Sequence, residues 1–340
     1  MNLLEPLPVK KITTKVFSME DKFMQKFVVG VDLGGTKISA ALSNLNGEVI
    51  SQTTVPTNAH EGEIPVLNRI IDSVDKVIKD GGVTYKDVKS IGIGSPGPLD
   101  AEKGVIIYTP NLPFKNFNLV DPLNKKFEVP VFLDNDANVA TIGEFMFGAG
   151  RGAKNVLFFT VSTGVGGGAV LDGKIYRGHT SNALEIGHMT VNPDGPRCNC
   201  GNIGCVEAIS SGTAIGKRGQ EAVNSKVETS LRKYEKITSY EVFVEAAAGD
   251  EVCKEIVDNA LNYLGIAVAN AVSIFDPEVI IIGGGVSKAG DIVFDTVRKV
   301  VDKRCFKSMA ESVKVVPAGL GTDAGVIGAV ALALLETKED

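Results

Sequence analysis

Three thiols and one imidazole stand close together near the middle of this 340-residue chain: His188, Cys198, Cys200 and Cys205. Imidazole and thiolate are the preferred ligands of zinc, and a Cys₃His set fills a tetrahedron with no position left for water, the pattern of a structural site. Pro193, Gly195, Pro196, Gly201 and Gly204 supply the sharp turns that would bring the four together. The chain has only three histidines, and one of them falls beside the cysteine cluster. The bland alternative is a group of reduced, buried cysteines. Cys253 and Cys305 stand alone and read as ordinary buried thiols.

Glycine clusters carry the second signal. Asp32-Leu33-Gly34-Gly35-Thr36-Lys37 directly follows an apolar run, and glycine there lets backbone N–H groups approach an anion that larger side chains would keep away. Thr36 adds a hydroxyl, and Asp32 is placed to hold Mg²⁺ through water. The spacing is not that of a Walker loop. Ser162-Thr163-Gly164-Val165-Gly166-Gly167-Gly168 repeats the device after a second apolar run. Two such loops suggest two arms gripping a phosphate chain from opposite sides. Gly283-Gly284-Gly285 is a third point of close approach, suited to an adenosine lying flat on backbone, although glycines that pack a helix would read the same way.

Leu133-Asp134-Asn135-Asp136-Ala137-Asn138 puts acids where a strand gives way to a helix. Phosphoryl transfer needs positioned phosphates and a base for the attacking hydroxyl. A carboxylate at a helix N-terminus is favoured as the anion and could be that base. Asp and Asn are equally ordinary N-caps, and position alone does not choose between Asp134 and Asp136. Glu185 and Glu207 flank the histidine and cysteine cluster. Held on a metal-braced loop, they would accept hydrogen bonds from vicinal sugar hydroxyls in fixed directions.

The elements that must position these residues alternate in type. Strands are expected at 27–33, 38–42 and 48–55, the last two joined at Asn46-Gly47 as a hairpin. A helix is expected over 64–79, with Ile64, Leu67, Ile71, Val74 and Ile78 on its buried face. Strands at 90–94 and 130–133 and a helix over 137–147 follow. The pattern then starts again, with strands at 156–161 and 168–171 around a glycine-rich turn, so the chain reads as two similar halves. A long buried helix through Val252 and Val272 stops before Asp276-Pro277. A strand at 279–282 and a helix at 324–336 complete an α/β fold with mixed sheets. Residues 1–26 show neither period and read as a flexible N-terminal arm.

Hydrophobic residues make up 44% of the chain and charged residues 22%, enough for a large core and a hydrated surface. With 35 basic and 41 acidic residues the net charge is −6, which argues against nucleic acid or an anionic membrane as partner. No segment approaches the roughly 20 apolar residues that span a bilayer, and no signal peptide is evident. The five cysteines, an odd number, fit a reducing cytoplasm.

Taken together, these strings resemble the ROK family (repressors, open reading frames, kinases), and its glucokinase-like members in particular, from about residue 27 to the end. Asp32 to Lys37 looks like the family's first phosphate loop and Ser162 to Gly166 like its second. Glu185-Ile186-Gly187-His188 matches its Glu-x-Gly-His element. Cys198-Asn199-Cys200-Gly201-Asn202-Ile203-Gly204-Cys205-Val206-Glu207 matches its Cys-x-Cys-Gly-x-x-Gly-Cys-x-Glu signature.

The resemblance implies an actin-like ATPase (ribonuclease H-like) fold of two lobes around a cleft. The small lobe would be 27–136, joined by a returning helix at 325–340, and the large lobe 137–324. It implies ATP-dependent phosphorylation of a hexose, glucose foremost, at the 6-hydroxyl, with Asp136 as the base and Asn135 as a sugar ligand. Glu185, His188 and Glu207 would contact sugar hydroxyls, with His188 also binding zinc. Ser95-Pro96-Gly97 and Asn111 would line the same pocket, and 279–285 would border the adenosine. Homodimers or homotetramers are usual. Fructokinase, N-acetylmannosamine kinase and a polyphosphate-using glucokinase are the alternatives within the family. A sugar-sensing regulator without catalysis is the alternative outside kinases; it would need a DNA-reading element, for which the 26-residue arm is too short.

Overall fold

The computed structural model describes residues 27–109 and 111–337; the arm expected over 1–26 and the end of the helix expected over 325–340 lie outside the described residues. The chain begins with an antiparallel meander, β1 (Phe27–Leu33), β2 (Lys37–Asn44) and β3 (Val49–Pro56). Val28, Val29, Val31 and Leu33 are all fully buried, as a strand covered on both faces requires. Helix α1 (Glu63–Asp80) covers one face. Its buried stripe is Val66, Leu67, Ile70, Val74, Val77 and Ile78, and Ile64 is 57% exposed. The apolar face is thus rotated from the expected one, because Val66, Ile70 and Val77 form the ridge that meets the sheet.

After β4 (Val88–Ser95) comes a small antiparallel sheet of β5 (Leu99–Asp100), β6 (Val105–Tyr108) and β7 (Lys115–Asn118). Helix α2 (Val120–Phe127) leads into β8 (Val131–Asn135) and α3 (Asp136–Phe147). The second half opens with β9 (Val156–Val161), β10 (Val165–Leu171) and β11 (Lys174–Ile175). Five helices follow in two groups: α4 (Val206–Ser210), α5 (Gly212–Asn224), α6 (Ser239–Ala248) and α7 (Glu251–Phe275) precede β12 (Val279–Gly283), and α8 (Asp291–Arg304) follows it. Helix α9 (Lys307–Ser312), β13 (Lys314–Pro317) and α10 (Ala324–Glu336) end the described chain.

The two large sheets have the same plan. Their strand orders are β3-β2-β1-β4-β8 and β11-β10-β9-β12-β13, antiparallel on the first side and parallel on the second. The loose repeat in the sequence is therefore a repeat of topology. The residues expected to do chemistry gather at the carboxyl ends of the parallel strands β1, β4, β8, β9 and β12, where open α/β sheets present their ligand sites.

Helix α10 belongs by packing to the first sheet, far from it in sequence. Gly30 and Gly92 make that packing possible: a Cβ on Gly30 would strike the backbone of Val330, and one on Gly92 the carbonyl oxygen of Ala329. Helices α3 and α10 cross just as closely, with a Cβ on Gly143 falling 2.9 Å from Gly328 Cα. Because backbone cannot yield as a side-chain tip can, Gly92→Ala is expected to destabilise the protein by about 2–4 kcal/mol in chemical denaturation, with no residue of the site altered.

Candidate active site

Helix α3 starts at the C-terminal end of β8, and its cap separates the two aspartates that the sequence left equivalent. Asp134 is fully buried. Its Oδ1 accepts the backbone N–H of Asn135 and the side-chain amide of Asn138, both at 2.8 Å, and its Oδ2 accepts Arg177 Nε at 2.6 Å. Both oxygens of that carboxylate are thus engaged by the protein. The N-cap is Asn135, whose Oδ1 accepts the Ala137 N–H at 2.9 Å. Asp136 makes one contact of this kind, to the same N–H, and opens into a cleft of about 350 Å³.

The helix terminus does not hold Asp136 at an ordinary carboxylate pKa. Asp136 is exposed to solvent at the cleft mouth, but the protein packed around the cleft still desolvates its carboxylate and pushes its pKa from 3.8 up to about 6; the nearby charges of Asp32 and Glu185 add to the shift. Asp32, at the end of β1, is itself raised by burial, an effect Lys37 partly offsets. Gly325 in the first turn of α10 leaves room for that carboxylate: a Cβ there would lie 2.5 Å from Asp32 Oδ2.

The same cleft is lined by Thr163, Gly164, Val165 and Gly166, by Glu207 and Glu185, and by the segment 181–184. The glycine run here is mostly strand. Only 162–164 form a turn, closed by Ser162 N–H to Gly164 O at 2.8 Å, and β10 begins at Val165. The glycines within it serve close packing: a Cβ on Gly164 would meet Glu207, on Gly167 Ile186, and on Gly168 Thr141. Gly284, with φ +89°, rests on the backbone of Val161, and Gly285 lies beside Ser162. The turn after β12 thus adjoins the turn after β9.

Other expected residues lie near this cleft without lining it. The Gly34–Lys37 turn joins β1 to β2, and a Cβ on Gly35 would come within 2.7 Å of Asn111 Cβ. Thr36 and Lys37 are exposed. Thr57, which sequence reasoning missed, is fully buried and braces that turn: its Oγ1 donates to Gly34 O at 2.6 Å and its N–H to Thr36 O at 2.9 Å. A lone threonine after a strand carries no signal of this. Ser95 is buried and donates to Pro96 O, while the next residue, Gly97, packs on the Asn135 amide, with its would-be Cβ at 3.2 Å.

The metal-ligating atoms of His188, Cys198, Cys200 and Cys205 all lie within 4.8 Å of one another. Cys200 and Cys205 Sγ are 3.7 Å apart, and Cys198 Sγ is 3.7 Å from His188 Nδ1. A tetrahedron with Zn–S bonds of about 2.3 Å has an edge of about 3.8 Å, so the donor set fits zinc in size and in kind. Gly201 (φ +97°) and Gly204 (φ +71°) adopt the left-handed turns that fold the loop onto itself. Burial pushes the Cys205 thiol up to about 12, a tendency that a bound cation reverses.

The loop and the cleft share residues. With Nδ1 toward the thiols, His188 presents Nε2 on the other side, 4.0 Å from Glu185 Oε2. Glu207 accepts the Val165 N–H on Oε2 at 3.0 Å, and its Oε1 lies 3.9 Å from Cys198 Sγ. One carboxylate therefore ties the Cys-rich loop to the start of β10. Among the described residues, no helix is long and apolar enough to cross a membrane.

The chain belongs to the ROK family, whose model matches residues 28–336. It is 40% identical to a glucokinase of Halalkalibacterium halodurans, over 89% of this chain and 93% of that one. It is 33% identical to a xylose repressor of Caldicellulosiruptor bescii, over 90% of this chain and 78% of the repressor. A crystal structure of a ROK hexokinase from Thermus thermophilus superposes with a TM-score of 0.81 at 36% identity, covering 92% of this chain and all of that one. A ROK family glucokinase from Streptomyces griseus, in complex with glucose and AMPPNP, superposes with a TM-score of 0.72 at 32% identity, covering 90% and 99% of the two chains. The paired five-stranded sheets are those of the actin-like ATPase fold.

Proposed function

We propose that this ROK-family sugar kinase transfers the γ-phosphoryl group of ATP to the 6-hydroxyl of a hexose, glucose first among them, with Asp136 as general base. The observation that carries the reading is the contrast between the two aspartates. Asp134 is fully committed to the protein, whereas Asp136 faces the cleft with a pKa of about 6. A base with that pKa is ionised at neutral pH and accepts a hydroxyl proton more readily than an ordinary aspartate does. Glucose and ATP are supported by the glucokinase relative and by the neighbour that holds glucose with AMPPNP.

In this reading Glu185, His188 Nε2, Asn135 and Glu207 orient the sugar so that its hydroxyl points at Asp136. Ser95 to Gly97 and Asn111 close the same pocket. The 34–37 and 162–166 segments hold the phosphates, and 283–285 border the adenosine. Asp32 would hold Mg²⁺, which neutralises phosphate charge when bound. Zinc, in the Cys₃His set, would keep the Glu185 to Glu207 segment rigid, where positioning supplies much of the rate. We place the small lobe at 27–136 with the returning C-terminal helix and the large lobe at 137–324. A cytoplasmic homodimer or homotetramer is the assembly we expect.

An ADP-release assay over glucose, fructose and N-acetylmannosamine, with ATP or polyphosphate as donor, tests the reading. ATP with glucose is expected to give the highest kcat/KM; silence with every sugar would reject it. The similarity to a xylose repressor raises the alternative of a regulator, and a regulator that only senses sugar gives that silent result.

The protonation state sets the pH profile. Asp136 must be ionised to act, so kcat/KM for the hexose is expected to fall below pH 6, about tenfold per unit, with a midpoint near the pKa of about 6. A midpoint near 4, the range of an ordinary aspartate, would contradict the role given to desolvation in the cleft.

A further inference from the structure

Arg177 follows β11 and takes no part in the phosphate turns or the metal set, yet it joins the strand end behind Asp136 to the loop that lines the cleft. Its guanidinium reaches the first sheet, with Nε donating to Asp134 Oδ2 at 2.6 Å and Nη2 to Glu336 Oε1, at the end of α10, at 2.5 Å. Asp134 in turn holds the Asn135 N–H and the Asn138 amide, so the grip passes to the residues on either side of Asp136. The Arg177 backbone acts on the cleft itself: its carbonyl accepts the Ala183 N–H at 3.1 Å and closes the loop that brings Ser181, Asn182, Leu184 and Glu185 to the cleft. Ser181 (φ 60°) and Leu184 (φ 65°) are left-handed there, a conformation that residues with side chains keep only when their surroundings impose it.

We propose that Arg177 is a positioning residue: it fixes the separation between Asp136 and the 178–185 loop, and so the alignment of the hexose hydroxyl with the base. A guanidinium suits the task because its rigid fork holds two carboxylates in set directions, which a flexible ammonium does not. The inference rests on the hexokinase reading above.

The test compares Arg177→Lys and Arg177→Met with wild type. It uses steady-state kinetics corrected for folded fraction, alongside thermal melts. Arg177→Lys keeps the charge and loses the fork; its kcat is expected to fall about 10-fold and its hexose KM to rise, while the ATP KM stays within about twofold. Arg177→Met is expected to lose about 100-fold in kcat. A purely structural role would lower Tm but leave kcat and both KM values of the folded enzyme unchanged. That result in Arg177→Lys, or an equal rise of both KM values, overturns the proposal; should Arg177→Met fail to fold, Arg177→Lys decides alone. A wild type that phosphorylates no hexose defeats the underlying reading instead, so the two failures are distinguishable.

Discussion

Asp136→Asn is expected to lower kcat for hexose phosphorylation by about 10³-fold while leaving hexose binding within a fewfold of wild type, and to make the protein more stable, not less. The loss of rate follows from removing the proton acceptor, a role worth about 10² to 10⁴ in such reactions. Binding survives because the amide is isosteric and can still hydrogen-bond a hydroxyl. The gain in stability follows from the raised pKa. A folded-state pKa of about 6 against 3.8 means that the folded protein binds the extra proton more tightly. The contribution of this group to stability is then fully present below pH 3.8 and is lost as pH rises through 6. At pH 7 the ionised carboxylate is a cost, and asparagine removes it. Solvent at the cleft mouth screens the effect, so the gain is about 1 kcal/mol, visible as a higher Tm at pH 7 and nearly absent at pH 4. Asp134→Asn should do the reverse: it breaks a buried, fully paired carboxylate and lowers Tm.

Loss of the metal is expected to be the larger structural insult. Cys205→Ser should release zinc and lower stability by several kcal/mol, since in such loops the binding energy of the ion is folding energy. Cys205 and Cys198 are buried and Cys200 is exposed, so Cys200→Ser, where water can reach the vacant position, should be the mildest of the three. The damage should reach the cleft through two residues. His188 joins the metal set to Glu185, and Glu207 joins it to the Val165 N–H. Hexose kcat/KM is therefore expected to fall about 10- to 100-fold on chelation and to recover when zinc is restored. Metal analysis of the purified protein should find about one zinc per chain, and none would remove this part of the account.

How much of this was legible in the sequence depended on whether the signal was local. The apolar runs at 27–33 and 156–161, the long helix ending before Asp276-Pro277 and the clustering of His188, Cys198, Cys200 and Cys205 were readable, because periodicity and side-chain type are properties of neighbours in sequence. The glycine run 164–168 was legible only in part. Glycine there signals close approach, but sequence does not say whether phosphate or protein does the approaching, and Glu207, Ile186 and Thr141 turned out to be the neighbours. The buried face of α1 was misplaced for a similar reason, since several apolar residues compete and only the sheet decides among them. The pKa of Asp136 could not be read at all: a helix terminus argues for a low value, and desolvation by the protein around the cleft, a tertiary property, outweighs it. Arg177 carried no motif, because its partners Asp134 and Glu336 lie 43 and 159 residues away in the chain.

The central claim is that the cleft at Asp136 moves a phosphoryl group from ATP to a hexose hydroxyl. Phosphorus NMR of a reaction with ATP, Mg²⁺ and glucose, run side by side for wild type and Asp136→Asn, tests it most directly. A growing glucose 6-phosphate resonance matched by ADP is expected for wild type, and almost none for the variant over the same time. Equal product from both would contradict the role of Asp136, and ADP formed without any sugar phosphate would contradict the transfer itself.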